Sequence, residues 1–354
     1  MGQGQFELDA RNDPAAEAYF RAASAGLAMR ADSSEADRSE ALLQRHYGLT
    51  GRLETLSSEV ERTIAVDLAD GRRLILKTST RPEAADSFAF QAQAIAGVQG
   101  AAGFVAPKVA PTLSGGLVFE DDGVYGYLQT RLGGTALHQA DLAPDLLRRT
   151  GSALARLDMA LAPIPLPATD RPILWNIGCW PWLMDYAPHL PKGPVAAQVA
   201  RAMRDYAETI EPHIRDLPWQ VTHNDPSPFN MMITDQGLGF IDFGDGCLNP
   251  RIQDLAIAAS HVVTDPALPL GGAEHLIAGY ASVLPLLALE AQLLVGLMRA
   301  RQSALILVNY WRADLFPAEA KYIKKNVPRA ERGLSILSAL PTASDEAAVL
   351  AALS

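Results

Sequence analysis

The chain has 354 residues, 49% of them hydrophobic, and a mean hydropathy of +0.05, which describes an ordered globular protein that is long for one core and fits two lobes. Its formal net charge of −10 and pI near 5.2 argue against a nucleic-acid partner, because no basic stripe is present to neutralise phosphates. The two cysteines, Cys179 and Cys247, are too few for a disulfide framework and indicate a reducing compartment.

Neither a targeting signal nor a membrane span is predicted. Residues 1–10 are polar and lack the basic start and apolar stretch of a secretory signal. The most apolar stretch, residues 282–298, is interrupted by Pro285, Glu290 and Gln292, which predicts a core helix. We therefore expect a cytoplasmic protein without a membrane partner.

The first third of the chain predicts a helical start followed by antiparallel strands. Residues 1–30 are rich in alanine, and an N-cap signal at 33–37 begins a helix that Gly48 ends. Two hairpins are predicted over 63–78 and 117–130, because each has Asp-Gly in its turn.

A helix is predicted between these hairpins, over residues 84–98. After residue 131 helical patterns dominate. They are interrupted by hairpins within 219–243 and by proline-rich loops within 163–194.

Residues 221–245 hold the most informative pattern. Asp225 is followed five residues later by Asn230, which is the H-x-D-x-x-x-x-N spacing of a kinase catalytic loop, and Asp242 opens an Asp-Phe-Gly triplet after an apolar strand. Asp225 can orient an attacking hydroxyl and accept its proton, while Asn230 and Asp242 can supply hard oxygen ligands for Mg²⁺. Single acidic turn residues are common, but the joint pattern favours phosphoryl transfer.

These motifs resemble the aminoglycoside phosphotransferase superfamily, and within it the hydroxylysine kinase branch. The resemblance covers nearly the whole chain and rests on five segments: Leu56-Ser57-Ser58-Glu59, Leu76-Lys77, His223-Asn224-Asp225, Ile241-Asp242-Phe243-Gly244-Asp245 and Asp254-Leu255-Ala256-Ile257-Ala258. The loop Pro226-Ser227-Pro228-Phe229 is instead similar to the proline-containing loops of aminoglycoside-type kinases.

The resemblance implies an α+β, two-lobe protein-kinase-like fold with a small antiparallel-sheet lobe and a larger, mainly helical lobe. Residues 1–50 would be an N-terminal helical extension packed on the small lobe, 51–130 the small nucleotide-binding lobe, and 131–354 the large catalytic and substrate lobe. Mg²⁺ is the implied cofactor, with ATP or GTP as phosphoryl donor.

Lys77 is the candidate phosphate-binding lysine, because a compact ammonium on a flexible stem suits a phosphate contact inside a cleft. Kinase folds usually hold this lysine with a carboxylate of the following helix. That helix offers Gln91, with Glu83 and Asp86 only at its start, and the sequence does not decide among these three. With a glutamine as partner, the ion pair is expected to be weakened or absent.

The remaining nucleotide contacts are assigned through the resemblance. Residues 57–62 contain no glycine, so Ser57 and Ser58, together with backbone amides, are the candidates for covering the phosphates. Residues 129–134 would form the hinge between the lobes, and Gln129 and Leu132 are its candidate nucleotide-binding residues.

Several other residues around the catalytic motifs are assigned structural roles. His223 is expected to brace the catalytic loop, and Asp254 to cap a helix or pack against that loop. Asp245 either lies near the metals or finishes a turn.

Four aromatic residues near the acceptor side, Trp175, Trp180, Trp182 and Tyr186, are most simply core residues. Alternatively, an ammonium-bearing substrate could rest on a tryptophan face beside Asp185. Asn176 stands where the resemblance places an aspartate.

The sequence therefore predicts a small-molecule kinase that phosphorylates a hydroxyl of an amine-bearing metabolite such as 5-hydroxylysine, acting as a monomer or homodimer. An aminoglycoside kinase or a choline- or homoserine-type kinase would use the same apparatus. A nucleotide-binding pseudokinase is the alternative from another class, and the retention of Lys77, Asp225, Asn230 and Asp242 argues against it.

Overall fold

A computed structural model describes residues 11, 13–29, 38–56 and 61–354. The predicted N-cap signal at 33–37 and the candidate phosphate-binding residues Ser57 and Ser58 lie outside the described residues.

An antiparallel sheet forms the small lobe. Its six described strands are hydrogen-bonded in the order β1-β2-β3-β6-β4, and β5 also pairs with β6. Their alternating or continuous apolar residues bury one face or both. The strands are β1 Gly51–Leu56, β2 Arg62–Leu68, β3 Arg73–Ser79, β4 Val109–Ala110, β5 Phe119–Asp121 and β6 Val124–Thr130. Both predicted hairpins are confirmed, as β2–β3 and β5–β6.

Two helices cover this sheet. Helix α2, Ser39–Tyr47, ends at Gly48, whose φ of 64° is the left-handed conformation that glycine adopts without strain. Its Leu43 packs in an apolar cluster with Val66 and Leu76 of the sheet. Helix α3, Ala84–Gly97, buries its apolar residues in the cluster shared with the large lobe.

The large lobe is mainly helical. Its helices are α4 Pro144–Leu161, α5 Pro194–Asp205, α6 Ile252–His261, α7 Glu274–Ala281, α8 Ala288–Leu315, α9 Ala320–Ile323, α10 Val327–Ala339 and α11 Asp345–Leu353. Five short strands also belong to this lobe: β7 Thr135–Ala136, β8 Trp219–Thr222, β9 Met231–Thr234, β10 Gly237–Phe240 and β11 Cys247–Pro250. The predicted two-lobe α+β fold is thus confirmed.

Helix α8 lies at the centre of this lobe and packs against α5, α6, α10 and α11. Within the described residues it alone is long and apolar enough by itself to cross a membrane, and 89% of its most apolar window is buried inside the protein. Such burial is typical of a core helix.

The N-terminal helix α1, Pro14–Ala28, packs differently from the prediction. Phe20 stacks on Trp182 with ring centroids 5.8 Å apart, and the Tyr19 hydroxyl donates to the Arg171 carbonyl at 2.8 Å, so its main contacts are with the large lobe. Of the two described helices within residues 1–50, α2 is the one that packs on the small-lobe sheet. The physical reason is that α1 buries its aromatic face against the tryptophan-rich segment 177–189. Arg81 of the small lobe donates to the carbonyls of Gly26 and Met29.

Candidate active site

The loop between β8 and β9 carries Asp225 and Asn230, and buried polar groups fix its backbone. Both carboxylate oxygens of Asp254, at the start of α6, accept backbone N–H groups of His223 and Asn224 at 2.7 Å. Asn224 has a φ of 61°, a conformation that asparagine tolerates better than most residues. The structural role predicted for Asp254 is confirmed.

His223 braces the same loop from beneath. Its Nε2 lies 3.0 Å from the carbonyl of Ile241, the residue before Asp242, and its ring packs on Phe243 at 4.8 Å. Burial lowers the pKa of His223, so the neutral ring donates to that carbonyl. This confirms the predicted bracing role and ties the catalytic loop to the Asp-Phe-Gly segment.

Asp225 lies between an amide and a guanidinium. Asn230 donates its Nδ2 to Asp225 Oδ2 at 2.6 Å, while Arg301 of α8 donates its Nη2 to Asp225 Oδ1 at 3.4 Å. The two oxygens of one carboxylate are thus contacted by different elements. The Asn230 Oδ1 is the amide atom that remains for a cation.

Asp242 follows β10 with a φ of 63° and has a side chain that is 52% exposed. The Lys77 ammonium, 2.8 Å from its Oδ1, lowers the pKa of Asp242 and keeps it ionised. Asp245 lies close enough to Asp242 to feel its charge, since burial and then Asp242 raise the pKa of Asp245 to about 7. Of the two roles left open for Asp245, this favours the one near the candidate metal ligands.

Lys77 is held by a pair of carboxylates and a glutamine. Its Nζ lies 3.0 Å from Glu61 Oε2, 2.8 Å from Asp242 Oδ1 and 3.0 Å from Gln91 Oε1. Gln91 in turn donates to Glu61 and accepts from the Tyr127 hydroxyl. Burial alone would lower the pKa of Lys77, but Asp242 and Glu61 raise it well above its usual value.

The prediction of a weakened or missing small-lobe ion pair is therefore wrong. The neutral Gln91 does take the helix position, but the carboxylate comes from Glu61, directly before β2. Glu83 and Asp86, the other two candidates, have no described contact with Lys77. Because Glu61 is distant from α3 in sequence, no helix spacing rule could find it.

A second carboxyl group supports Asp254 from below. Asp158 of α4 is fully buried, accepts from the Tyr280 hydroxyl at 2.7 Å and is hydrogen-bonded to Asp254. Burial, followed by the charge of Asp254, raises the pKa of Asp158 well above its usual value. A neutral Asp158 that donates to Asp254 explains how two acidic side chains share this interior.

The two hinge candidates lie near the end of β6 and directly after it. Gln129, near the end of β6, is 5% exposed, and its side-chain Oε1 has no hydrogen-bond partner among the described residues. The Leu132 side chain packs near Gly239 of β10. Both positions are compatible with the predicted nucleotide contacts.

The aromatic residues near the acceptor side are mostly core residues. Trp180 and Trp182 are buried, and Tyr186 stacks on Trp311 at 4.3 Å. The alternative of a substrate ammonium on a tryptophan face beside Asp185 is not supported, because Asp185 pairs with Arg11 at 3.1 Å.

The face of Trp175 is covered as well, by the guanidinium of Arg301 at 4.6 Å. Asn176 caps the following 3₁₀ segment by accepting from the Gly178 N–H at 2.8 Å. Arg301 was missed at the sequence level, although an arginine within a strongly apolar helix is an unusual residue to bury.

A sequence model of the phosphotransferase enzyme family matches residues 52–286. The chain belongs to this family. Among curated relatives, hydroxylysine kinase of Danio rerio is 24% identical over 317 residues, covering 84% of this chain and 89% of the relative. Hydroxylysine kinase of Mus musculus is 25% identical over 221 residues, covering 57% of this chain and 58% of the relative.

Solved phosphotransferase structures share the fold. A microcompartment-associated aminopropanol kinase has a TM-score of 0.65 at 18% identity, covering 86% of this chain and 98% of its own. An amicoumacin kinase in complex with AMP-PNP and Ca²⁺ has a TM-score of 0.64 at 13% identity, covering 87% of this chain and 95% of its own. At these identities the likeness establishes the fold of this family member.

Proposed function

We propose that this phosphotransferase-family chain transfers the γ-phosphoryl group of ATP to a hydroxyl of a small hydroxy-amino acid, with 5-hydroxylysine as the first candidate. One observation carries the proposal. Lys77 of the small lobe contacts Asp242, and Asn230 contacts Asp225. The two pairs are joined because the N–H of Ile241, the residue before Asp242, donates to the Asn230 carbonyl at 2.9 Å.

Each of these residues has a task that its surroundings suit. Asp225 would orient the acceptor hydroxyl and take its proton, and Arg301 lies beside it with Nη2 3.4 Å from Oδ1. Lys77 would contact the phosphates of the donor, since its raised pKa keeps it charged. Catalysis would come mainly from positioning and charge neutralisation.

The donor set fits a hard divalent cation bound together with phosphates. Asp242 offers an ionised, half-exposed carboxylate, and Asn230 offers an amide oxygen because its nitrogen donates to Asp225. Mg²⁺ is commonly held by one or two protein oxygens with phosphates and water completing the octahedron. When bound, Mg²⁺ would neutralise negative charge on the phosphates of the donor.

The curated relatives support the choice of acceptor. Four curated relatives that match this chain are each named hydroxylysine kinase, and one of them aligns over 84% of this chain. The structural relatives named for amicoumacin and aminopropanol act on other hydroxyl compounds, so they leave the acceptor class open. ATP is proposed over GTP as the default donor of this fold.

An ADP-release assay with MgATP tests this function. We expect 5-hydroxylysine to give the highest kcat/KM in a panel that also contains choline, ethanolamine, homoserine and kanamycin. Replacing ATP by GTP in the same assay tests the donor. Kanamycin or choline as the best acceptor would contradict the proposal, and the absence of turnover with every hydroxyl compound would favour a pseudokinase.

The lobe boundaries and the assembly also remain proposals. We propose a small lobe over 51–130 and a large lobe over 131–354, in a cytoplasmic protein that acts as a monomer or homodimer. Limited proteolysis followed by mass measurement would test the boundary at 130, and light scattering would give the oligomeric state.

A further inference from the structure

A buried guanidinium next to the proposed base has unmet hydrogen-bonding capacity. The Arg301 side chain is only 5% exposed, yet its Nε and Nη1 have no hydrogen-bond partner among the described residues. Only Nη2 is engaged, by a long bond of 3.4 Å to Asp225 Oδ1. A buried arginine normally satisfies its donors, because each unmet donor costs desolvation free energy.

A second guanidinium lies on the same side of the catalytic loop. Arg329 of α10 lies over the ring of Phe229, four residues after Asp225, at 5.4 Å. It also donates to Nδ1 of the buried His261 at 2.6 Å, which orients it. Lys325, 6.0 Å from the same Phe229 ring, adds a third positive charge.

These cations are close enough to repel one another. Burial lowers the pKa of Arg329, the charge of Asp225 opposes that shift, and Arg301 lowers the pKa further. Burial, followed by the charges of Arg329 and Arg301, lowers the pKa of His261 well below its usual value, so this histidine adds no charge. A molecule with a net charge of −10 has therefore concentrated positive charge beside its proposed base.

An anion would complete this arrangement. Asp225 is needed for the acceptor hydroxyl, and Asn230 contacts its Oδ2, whereas Arg301 contacts its Oδ1. The unmet donors of Arg301 suit an anion, and a carboxylate is an anion with which a guanidinium forms charge-assisted hydrogen bonds. An acceptor with only ammonium groups would be repelled here.

We propose that Arg301 and Arg329 bind a carboxylate of the phosphoryl acceptor, so that this chain selects hydroxy acids and hydroxy-amino acids over amino alcohols and aminoglycosides. The inference rests on the proposed kinase function and specifies the chemistry of its acceptor site. In this proposal the carboxylate of the acceptor is the group that the protein recognises, whereas the sequence predicted only that the acceptor bears an amine.

The test compares one acceptor with and without its negative charge. 5-Hydroxylysine and its α-carboxamide share the hydroxyl and both amines and differ at the carboxylate. We expect the wild-type kcat/KM to be roughly 10- to 100-fold lower for the carboxamide, which is the scale of losing a charge-assisted hydrogen-bonded pair. Equal kcat/KM values for the two compounds would overturn the inference.

Variants assign the effect to the two arginines. Arg329→Gln should raise KM for 5-hydroxylysine and leave its kcat largely intact. The kcat/KM for the carboxamide should not change, so the preference for the acid over the carboxamide becomes smaller. Arg332→Gln, an exposed arginine on the same helix, is the matched control and should keep the full preference. Arg301→Lys should lower kcat with both compounds, through Asp225, and raise KM only for the acid. A loss of kcat in Arg329→Gln that is equal for both compounds would indicate a role in positioning the loop and contradict the inference.

A binding measurement separates this inference from the kinase proposal. Calorimetry of 5-hydroxylysine and of its carboxamide against the protein with MgADP reports recognition without turnover. Tighter binding of the acid, reduced in Arg329→Gln but not in Arg332→Gln, supports the carboxylate site even if no acceptor is phosphorylated. Equal or absent binding of both compounds overturns it, whatever the ADP assay shows. Melting temperatures of the variants close to that of the wild type exclude misfolding as the cause.

Discussion

At the residue scale, the site combines residues that follow a spacing rule with residues that do not. The candidates Asp225, Asn230 and Asp242 could be selected from the sequence because a kinase-like loop spacing and the strand after it fix their separation. Glu61 and Arg301 could not be selected in this way, because they reach the site from the residue directly before β2 and from the middle of α8. Such contacts depend on how elements pack, and no local pattern encodes that.

Asp225→Asn should lower kcat by roughly 10²- to 10⁴-fold, the scale for removing a general base. Nucleotide affinity should stay nearly unchanged, because the carboxylate acts on the acceptor hydroxyl. Steady-state kinetics and ATP titration by calorimetry measure the two effects. Asp235→Asn, in the exposed β9–β10 turn, is the control. Near-normal turnover in Asp225→Asn would remove this residue from the role of base.

Lys77→Ala should raise KM for ATP strongly, and Lys77→Arg should rescue poorly, because the guanidinium is larger and directs its donors differently. Glu61→Gln should raise KM for ATP more mildly, since Lys77 keeps Asp242 and Gln91 as partners. Glu54→Gln, exposed on β1, serves as control. Wild-type values for ATP in both Lys77→Ala and Glu61→Gln would show that the phosphates bind elsewhere.

At the element scale, the catalytic loop depends on how α4, α6 and α7 pack. Asp158 on α4 joins Tyr280 on α7 to Asp254 on α6, and Asp254 holds the loop backbone. Sequence patterns predicted that helices dominate this lobe. They could not predict the crossing of α4 and α7, because it depends on two glycines that let the helix backbones approach. A Cβ on Gly279 would lie 1.9 Å from the carbonyl oxygen of Arg148, and a Cβ on Gly151 would lie 2.0 Å from the carbonyl oxygen of Leu276.

Gly279→Ala should therefore destabilise the protein by about 3 kcal/mol or more, because the clash is with backbone that cannot rotate away. Gly26→Ala is a matched control, for which we expect a change in stability of the opposite sign. A Cβ there meets nothing within 4 Å, so a helical alanine should stabilise by about 0.5–1 kcal/mol. Urea denaturation measures both, and an unchanged midpoint in Gly279→Ala would contradict the close packing.

Asp158→Asn should change how stability depends on pH. Because the folded pKa of Asp158 is raised, its contribution is complete below the unfolded pKa and is lost as pH rises toward the folded value. Asparagine mimics the neutral acid toward Tyr280 and Asp254, with Arg251 and His223 as the other charged or titratable groups nearby.

The melting temperature of Asp158→Asn, relative to wild type, should therefore increase between pH 4 and pH 8. Asp145→Asn, exposed in the first turn of α4, should show no such trend. A relative melting temperature of Asp158→Asn that falls with pH would mean that Asp158 is ionised in the folded protein.

At the scale of the whole molecule, Lys77 of the small lobe and Asp242 of the large lobe meet at 2.8 Å, so each lobe supplies part of one site. Helix α1 adds a further link, since it stacks on Trp182 of the large lobe while Arg81 of the small lobe donates to its last turn and to Met29 beyond it. The two-lobe division was predictable from the change from strands to helices near residue 131. The placement of α1 was not, because its alanine-rich sequence does not specify which surface covers its aromatic face.

The central claim is phosphoryl transfer to a hydroxyl acceptor, and ³¹P NMR of the reaction tests it most directly. With ATP, Mg²⁺ and 5-hydroxylysine, the wild-type protein and Asp235→Asn should produce a new phosphomonoester signal in equal amount to ADP. Asp225→Asn should produce neither on the same time scale. Release of inorganic phosphate without a phosphomonoester, or unchanged ATP with every hydroxyl acceptor, would contradict the account.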